Sequence, residues 1–130
     1  MIVHFPVGLL ISGVVFEIYG ALRNDEVAET AGRYNIRFGL WFLFPVLLVG
    51  FLGMISLENT EEFKDFLSSH LTFALCTAGL FFLAMLISRY LRQPLGRALY
   101  FIIIGVGGIC VLTTGYFGGE LVHRFGVSTH

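Results

Sequence analysis

The chain has 130 residues, 56% of them hydrophobic and 13% charged, and it carries a formal net charge of −1. Because an average soluble domain contains about a quarter charged residues, this composition excludes a soluble enzyme domain, and the absence of a basic patch excludes a nucleic-acid binder. The chain is therefore predicted to have the lipid bilayer, rather than water, as its main solvent.

Four stretches of the chain contain no Asp, Glu, Lys or Arg, and they cover residues 1–16, 38–57, 66–88 and 98–119. A helix needs about 20 apolar residues to cross a hydrocarbon core of about 30 Å, so each stretch with its flanks predicts one crossing. The sequence thus predicts an all-α integral membrane protein forming one domain over residues 1–130, an up-down-up-down bundle of four transmembrane helices. The predicted helices cover about 2–22, 34–57, 66–91 and 95–119.

Helix 1 is predicted to be retained rather than cleaved as a signal peptide, because charged residues follow it instead of a small-residue cleavage site. It contains an intramembrane acid, Glu17, for which Arg37 at the start of helix 2 is the expected partner. Residues 23–33 are predicted to form an exposed polar loop. Pro45 is expected to kink helix 2, and Pro94 to break the chain before helix 4.

Basic residues are unevenly distributed between the two ends of the predicted bundle. One end carries Arg23, Arg33, Arg37, Arg89, Arg92 and Arg97, and the other carries Lys64 and Arg124. The positive-inside rule then predicts a bacterial inner-membrane protein with both termini and the acidic loop 58–65 outside. An aromatic belt is expected at the cytoplasmic interface, formed by Tyr19, Tyr34, Trp41, Tyr90 and Tyr100.

The sequence also contains landmarks of an internal repeat. His4 opens helix 1 and His70 opens predicted helix 3, and Gly-Phe-Leu-Gly at 50–53 is followed 65 residues later by Gly-Tyr-Phe-Gly at 115–118. Because each half contains two crossings, the prediction is two parallel-repeat helical hairpins, related by an axis along the membrane normal.

This repeat would place His4 and His70 on diagonally opposite helices, near the outer surface. Adjacent helix axes 8–10 Å apart give a diagonal of roughly 11–14 Å, which two imidazoles bound to one iron could span. Gly8 and Ala74, one turn further in, would leave room for a porphyrin. The flanking backbones could approach it at Gly50, Gly53, Gly115 and Gly118; the alternative interpretation is that these glycines only allow helices to pack.

The opening and the ending of the chain resemble those of a known family. The chain opens with His4-Phe5-Pro6, has His70 at the start of the third apolar segment, and ends over 118–127 with Gly-Gly-Glu-Leu-Val-His-Arg-Phe-Gly-Val. These features resemble a family of small four-helix bacterial membrane proteins of unknown function that are suspected haem binders. Its members typically end in Gly-Gly-x-Leu-Val-Tyr-x-x-Gly-Val, so position 123 departs from the pattern.

His123 therefore has several interpretations. It could be an additional ligand, could orient a haem propionate together with Arg124, or could be an exposed interface histidine. His130, at the end of the chain, is not expected to bind the cofactor.

Three functions remain open from the sequence. The first is a b-type haem electron-transfer protein, with His4 and His70 as axial ligands, that exchanges electrons with a periplasmic cytochrome or with partner subunits of a membrane complex. The second is a copper-handling protein using His4, His70 and His123 with Met54. The third is a scaffold subunit without a cofactor.

Overall fold

The computed structural model describes residues 4–56 and 61–125. These residues form four helices and no strand: α1 (His4–Arg23), α2 (Glu26–Ser56), α3 (Glu61–Tyr90) and α4 (Leu95–Phe125). Each helix is long and apolar enough to cross a membrane. The predicted all-α fold with four transmembrane helices is confirmed.

The helices form a ring in chain order. α1 packs closely on α2 and α3 on α4, whereas the contacts of α2 with α3 and of α1 with α4 are less extensive, and no Cα atoms of diagonal helices lie within 8 Å of each other. This is the predicted up-down-up-down bundle of two hairpins. Its core contains residues from all four helices, including Leu10, Leu43, Phe81 and Ile104.

The predicted polar loop over 23–33 is wrong, because the turn between α1 and α2 has only two residues. Asn24 adopts a left-handed conformation with φ of 55°, which ends α1. Asp25 then caps α2, since its Oδ1 accepts the backbone N–H groups of Val27 and Ala28 at 3.0 and 3.1 Å. The helix therefore begins at Glu26, two turns before the predicted start at 34.

The other predicted bounds need smaller corrections. α3 begins at Glu61 rather than at 66, with two acids in the first turn, where the helix dipole favours negative charge. α4 continues to Phe125 rather than ending at 119. Pro45 lies inside α2, as predicted. The predicted start of helix 1 at residue 2 and residues 58–60 of the acidic loop lie outside the described residues.

α1 and α2 pack through close backbone contact. A Cβ atom added at Gly32 would lie 2.7 Å from the backbone nitrogen of Glu17, and one at Gly20 would lie 2.6 Å from the backbone nitrogen of Glu29. Such distances leave no room for any side chain. We call the four residues that line this contact the glycine seam: Gly13 and Gly20 on α1, Gly32 and Gly39 on α2.

α3 and α4 instead pack through side chains. The Phe81 ring lies 3.0 Å from a Cβ added at Gly107, and the His70 ring lies 3.1 Å from one added at Gly118. Phe81 is fully buried. A small residue on α4 thus faces a large one on α3.

The two hairpins nevertheless share one pattern of burial, at an offset of 64 positions. The buried residues Leu10, Gly13, Glu17 and Gly20 of α1 correspond to the buried residues Ala74, Thr77, Phe81 and Ala84 of α3, and the same offset places the buried Pro6 opposite the half-buried His70. Five of the six buried residues described in α2 correspond likewise to buried residues of α4: Gly32, Ile36, Leu40, Leu43 and Leu47 to Gly96, Tyr100, Ile104, Gly107 and Val111. The sixth, Gly39, corresponds to the half-buried Ile103. The structural repeat therefore does not pair His4 with His70, because His70 corresponds to Pro6.

Candidate functional site

Polar side chains gather at both ends of the bundle. We call the end where α1 begins and α4 ends the terminal end, and the end with the α1–α2 and α3–α4 connections the loop end. The predicted cofactor residues His4, His70, His123 and Arg124 lie toward the terminal end. A second polar group, around Glu17, lies toward the loop end.

His70 has a fixed orientation on α3. Its Nδ1 lies 3.0 Å from the carbonyl oxygen of Thr114 on α4. Because a carbonyl only accepts, Nδ1 carries the hydrogen and Nε2 keeps its lone pair. The half-buried ring lies against Gly118, where any side chain would press on Cε1 at 3.1 Å.

His4 is oriented differently. It is exposed at the first turn of α1. It lies on the side opposite Gly13 of the glycine seam, because nine positions make about two and a half helical turns. Gly8 is also exposed, with open space beyond its Cα. The structure brings His4 and His70 to the same end of the bundle without directing them at each other.

The remaining residues of the predicted pocket have separate surroundings. Ala74 is a buried core residue, 5% exposed, so it fills the bundle interior instead of opening space there. A Cβ at Gly50 would lie 2.9 Å from Leu71, so this glycine allows α2 and α3 to approach. Gly53 is half-buried, and Gly115 is exposed with open space around it. Of these glycines, Gly118 faces His70 directly.

His123 and Arg124 both lie within α4 and are exposed. The Nε atom of Arg124 lies 2.5 Å from Glu120, its Nη1 lies 3.8 Å from Glu62 on α3, and its guanidinium lies 5.1 Å from the Phe66 ring. Arg124 therefore ties the end of α4 to the start of α3. His130 lies outside the described residues.

The copper interpretation finds no support in the described part of the chain. No group of three or more His, Cys, Asp or Glu side chains lies close enough there to hold a metal ion. The two cysteines, Cys76 and Cys110, are free thiols.

The buried acid of the loop end has partners other than the predicted one. Glu17 is 0% exposed, its Oε1 accepts a hydrogen bond from the Tyr100 hydroxyl, and the same oxygen lies 3.6 Å from Nε of Arg33. The predicted pairing with Arg37 is therefore wrong. Arg33 is the partner because α2 begins early and the glycine seam brings its first turns against α1. Tyr100, expected in the interfacial belt, is instead buried, with 5% of its surface exposed.

A cavity of about 80 Å³ adjoins this acid, and we call it the loop-end cavity. Glu29, also on its wall, lies 2.9 Å from Arg97 and 3.7 Å from Arg33. Oε2 of Glu17 is buried and has no hydrogen-bond partner. The polar wall of the cavity includes Glu17, Glu29, Arg33, Gln93, Arg97 and Tyr100. Sequence reasoning missed this cluster, although an intramembrane Glu near a run of Arg residues is a signal for one.

Four long apolar helices in a ring, with polar groups at both ends, define a four-helix integral membrane protein. Such a protein has a lipid bilayer around its exposed apolar side chains. The family model "Predicted membrane protein (DUF2231)" matches residues 1–130, and the chain belongs to this family. No curated protein and no solved structure matches the chain.

Proposed function

We propose that the protein is a b-type haem-binding electron-transfer subunit with His70 as one axial ligand. The observation that supports this is the contact between Nδ1 of His70 and the Thr114 carbonyl. Metal-bound histidines almost always donate their other ring N–H to a carbonyl or carboxylate, which fixes the tautomer and the ring orientation. In His70 the free atom is Nε2, the one available to iron.

The second axial ligand is proposed to be His4, with His123 as the alternative. Both side chains are exposed toward the terminal end, where His70 also lies. Haem would be held by His70 together with His4 or His123, and it would supply reversible one-electron chemistry. The chain's own part is to hold the His70 ring between α3 and α4.

The distribution of charge supports an orientation and a type of partner. Of the eight basic residues, six lie toward the loop end and two, Lys64 and Arg124, toward the terminal end. Under the positive-inside rule the loop end faces the cytoplasm of a bacterial inner membrane and the terminal end faces outward. A haem there would exchange electrons with a periplasmic cytochrome or with a subunit of a larger membrane complex.

Absorption spectroscopy tests this function directly. Protein purified from haem-supplied cells is expected to be red, with a reducible low-spin spectrum. His70→Ala is expected to abolish this spectrum, and comparison of His4→Ala with His123→Ala identifies the second ligand. A colourless wild-type protein that contains bound copper would favour the metal-handling function, and one without either cofactor would favour a scaffold.

A second pair of variants tests the geometry of the His70 ring without touching a ligand atom. Gly118→Val places a side chain against the ring, whereas Gly119→Val enters open space on the same helix. We expect the first variant to lose or alter the haem spectrum and the second to retain it. If folded Gly118→Val keeps the wild-type spectrum, the haem spectrum does not depend on the position of the His70 ring against Gly118.

A further inference from the structure

We propose that Glu17 is a proton-exchange site, whose Oε2 atom takes up and releases a proton through water in the loop-end cavity. The ligand is a proton delivered by water, and the site is separate from the proposed haem ligands. The inference does not depend on haem being bound, so the two proposals can fail independently.

The two oxygens of Glu17 are in different surroundings. Oε1 receives the Tyr100 hydroxyl and the approach of Arg33, whereas Oε2 is buried without a partner. An ionised carboxylate needs donors at both oxygens, and a protonated one carries its hydrogen on the oxygen that accepts no other. Either state therefore needs a further polar partner at Oε2.

The loop-end cavity can provide that partner in the form of water. Its volume of about 80 Å³ is enough for a few water molecules, and its walls offer several polar partners. Two of the lining side chains, Arg33 and Arg97, are 46% and 45% exposed. The cavity is therefore lined both by Glu17 and by side chains at the protein surface, and a small rotation of the buried Glu17 carboxyl would bring Oε2 to the cavity water.

The charges around Glu17 allow both protonation states. From α4, Arg97 is paired with Glu29 at 2.9 Å; from α2, Arg33 lies between the two carboxyl groups, 3.6 Å from Glu17 and 3.7 Å from Glu29. When Glu17 is neutral, Arg33 still has Glu29 as its partner. When Glu17 is ionised, Arg33 offers it a counter-charge.

The other side chains near Glu17 are compatible with both of its protonation states. Tyr100 donates to Oε1 in either state, Arg37 makes no ion pair with Glu17 among the described residues, and Ser88, which lines the cavity from α3, is uncharged. The exchange therefore involves one oxygen of one side chain and the water beside it.

A comparison within the chain argues against a purely structural role for this acid. The equivalent position of the second hairpin, 64 residues later, is Phe81, which is equally buried. The same packing position is thus filled by an apolar ring where no polar cluster surrounds it. A buried acid in a membrane helix is costly and is by default a functional group.

Infrared spectroscopy of the full-length protein in lipid tests the proposal. A pH titration of wild type is expected to show, among the carboxylic-acid C=O bands that disappear on alkalisation and shift in D₂O, one band contributed by Glu17. Glu17→Gln is expected to lose this band. Glu29→Gln is the matched control, since Glu29 lines the same cavity with both of its oxygens near arginines, and the band should remain.

Tyr100→Phe keeps the proposal testable if Glu17→Gln does not fold. Removal of the hydrogen bond to Oε1 is expected to shift the frequency of the same band without abolishing its titration. The proposal is overturned if the Glu17 band is absent at every pH, or if it is present at every pH and does not respond to D₂O. Loss of the haem spectrum in any variant has no bearing on this result.

Discussion

The two hairpins of the bundle bury the same register of positions but fill it in different ways. In α1–α2 the glycine seam brings the two backbones into contact, and Glu17 occupies a central buried position. In α3–α4 the equivalent position is Phe81, whose ring lies against Gly107. The two hairpins thus share the positions that are buried, and they differ in whether the residue at such a position is polar or apolar.

The difference has an energetic basis in the membrane. Lipid is as apolar as a protein core, so helices associate through close packing and polar contacts rather than through the hydrophobic effect. The first hairpin has close packing and a polar contact, because the glycine seam brings Glu17 within ion-pair distance of Arg33 on α2. The second hairpin relies on interlocking side chains and on the His70 contact with Thr114.

The largest effect is expected from filling the glycine seam. In Gly32→Val the new side chain would overlap the backbone of Glu17, so α1 and α2 must separate, at a cost of about 3 kcal/mol. Thermal unfolding in detergent measures this loss. The control is Gly79→Val on α3, which enters open space. Equal melting temperatures for the two variants would contradict backbone contact in the first hairpin.

A smaller loss is expected from emptying the equivalent position of the second hairpin. Phe81→Ala leaves a cavity between α3 and α4, and in lipid the cavity part of the cost dominates, at about 2 kcal/mol. Phe82→Ala, next along the chain, changes a ring that is 52% exposed and should unfold like wild type. A larger effect at Phe82 would show that the second hairpin does not pack through side chains.

Breaking the polar contacts of the first hairpin is expected to cost about 1–2 kcal/mol. Tyr100→Phe leaves Oε1 of Glu17 without its hydroxyl donor. Arg33→Leu removes the ionic partner, whereas Arg37→Leu, the matched control, should leave stability almost unchanged. If unfolding measurements show a larger loss of stability for Arg37→Leu than for Arg33→Leu, Arg37 is the ionic partner of Glu17, as expected from the sequence.

The smallest effect is expected at the terminal end of the second hairpin. Arg124→Gln removes contacts with Glu120 and Glu62, but the arginine side chain is 52% exposed. Such surface pairs contribute about 0.2–1 kcal/mol, and less at high salt. Unfolding at low and high ionic strength should therefore show a small difference that salt removes. A large loss that salt does not change would assign Arg124 a buried role.

Much of the fold could be predicted because the apolar stretches are long and separated by charges. The sequence carries signals for the start of α2, because Asn24 is a residue type that tolerates the left-handed conformation and Asp25 is a favoured N-cap residue before Glu26. A polar composition suggested a loop, and the capping pattern should have taken precedence.

The candidate sites were less predictable for two physical reasons. The partner of Glu17 depends on where α2 begins and how closely it approaches α1, and Tyr100 comes from a distant part of the chain. Matching residue types pair His4 with His70, at an offset of 66 positions, whereas the burial patterns of the two hairpins match at an offset of 64. The residues of a repeat diverge while its packing positions persist.

The distance between Glu17 and His70 along the bundle axis matters because a membrane potential acts in that direction. Tyr100, which contacts Glu17, and Gly118, which contacts His70, lie on one helix 18 positions apart, about 27 Å along its axis. This is most of a hydrocarbon core of about 30 Å. A charge that moved between the two levels would therefore cross most of the membrane potential, gaining or losing about 2 kcal/mol for each 100 mV. Transfer of a charge from one level to the other would therefore be driven or opposed by the transmembrane voltage.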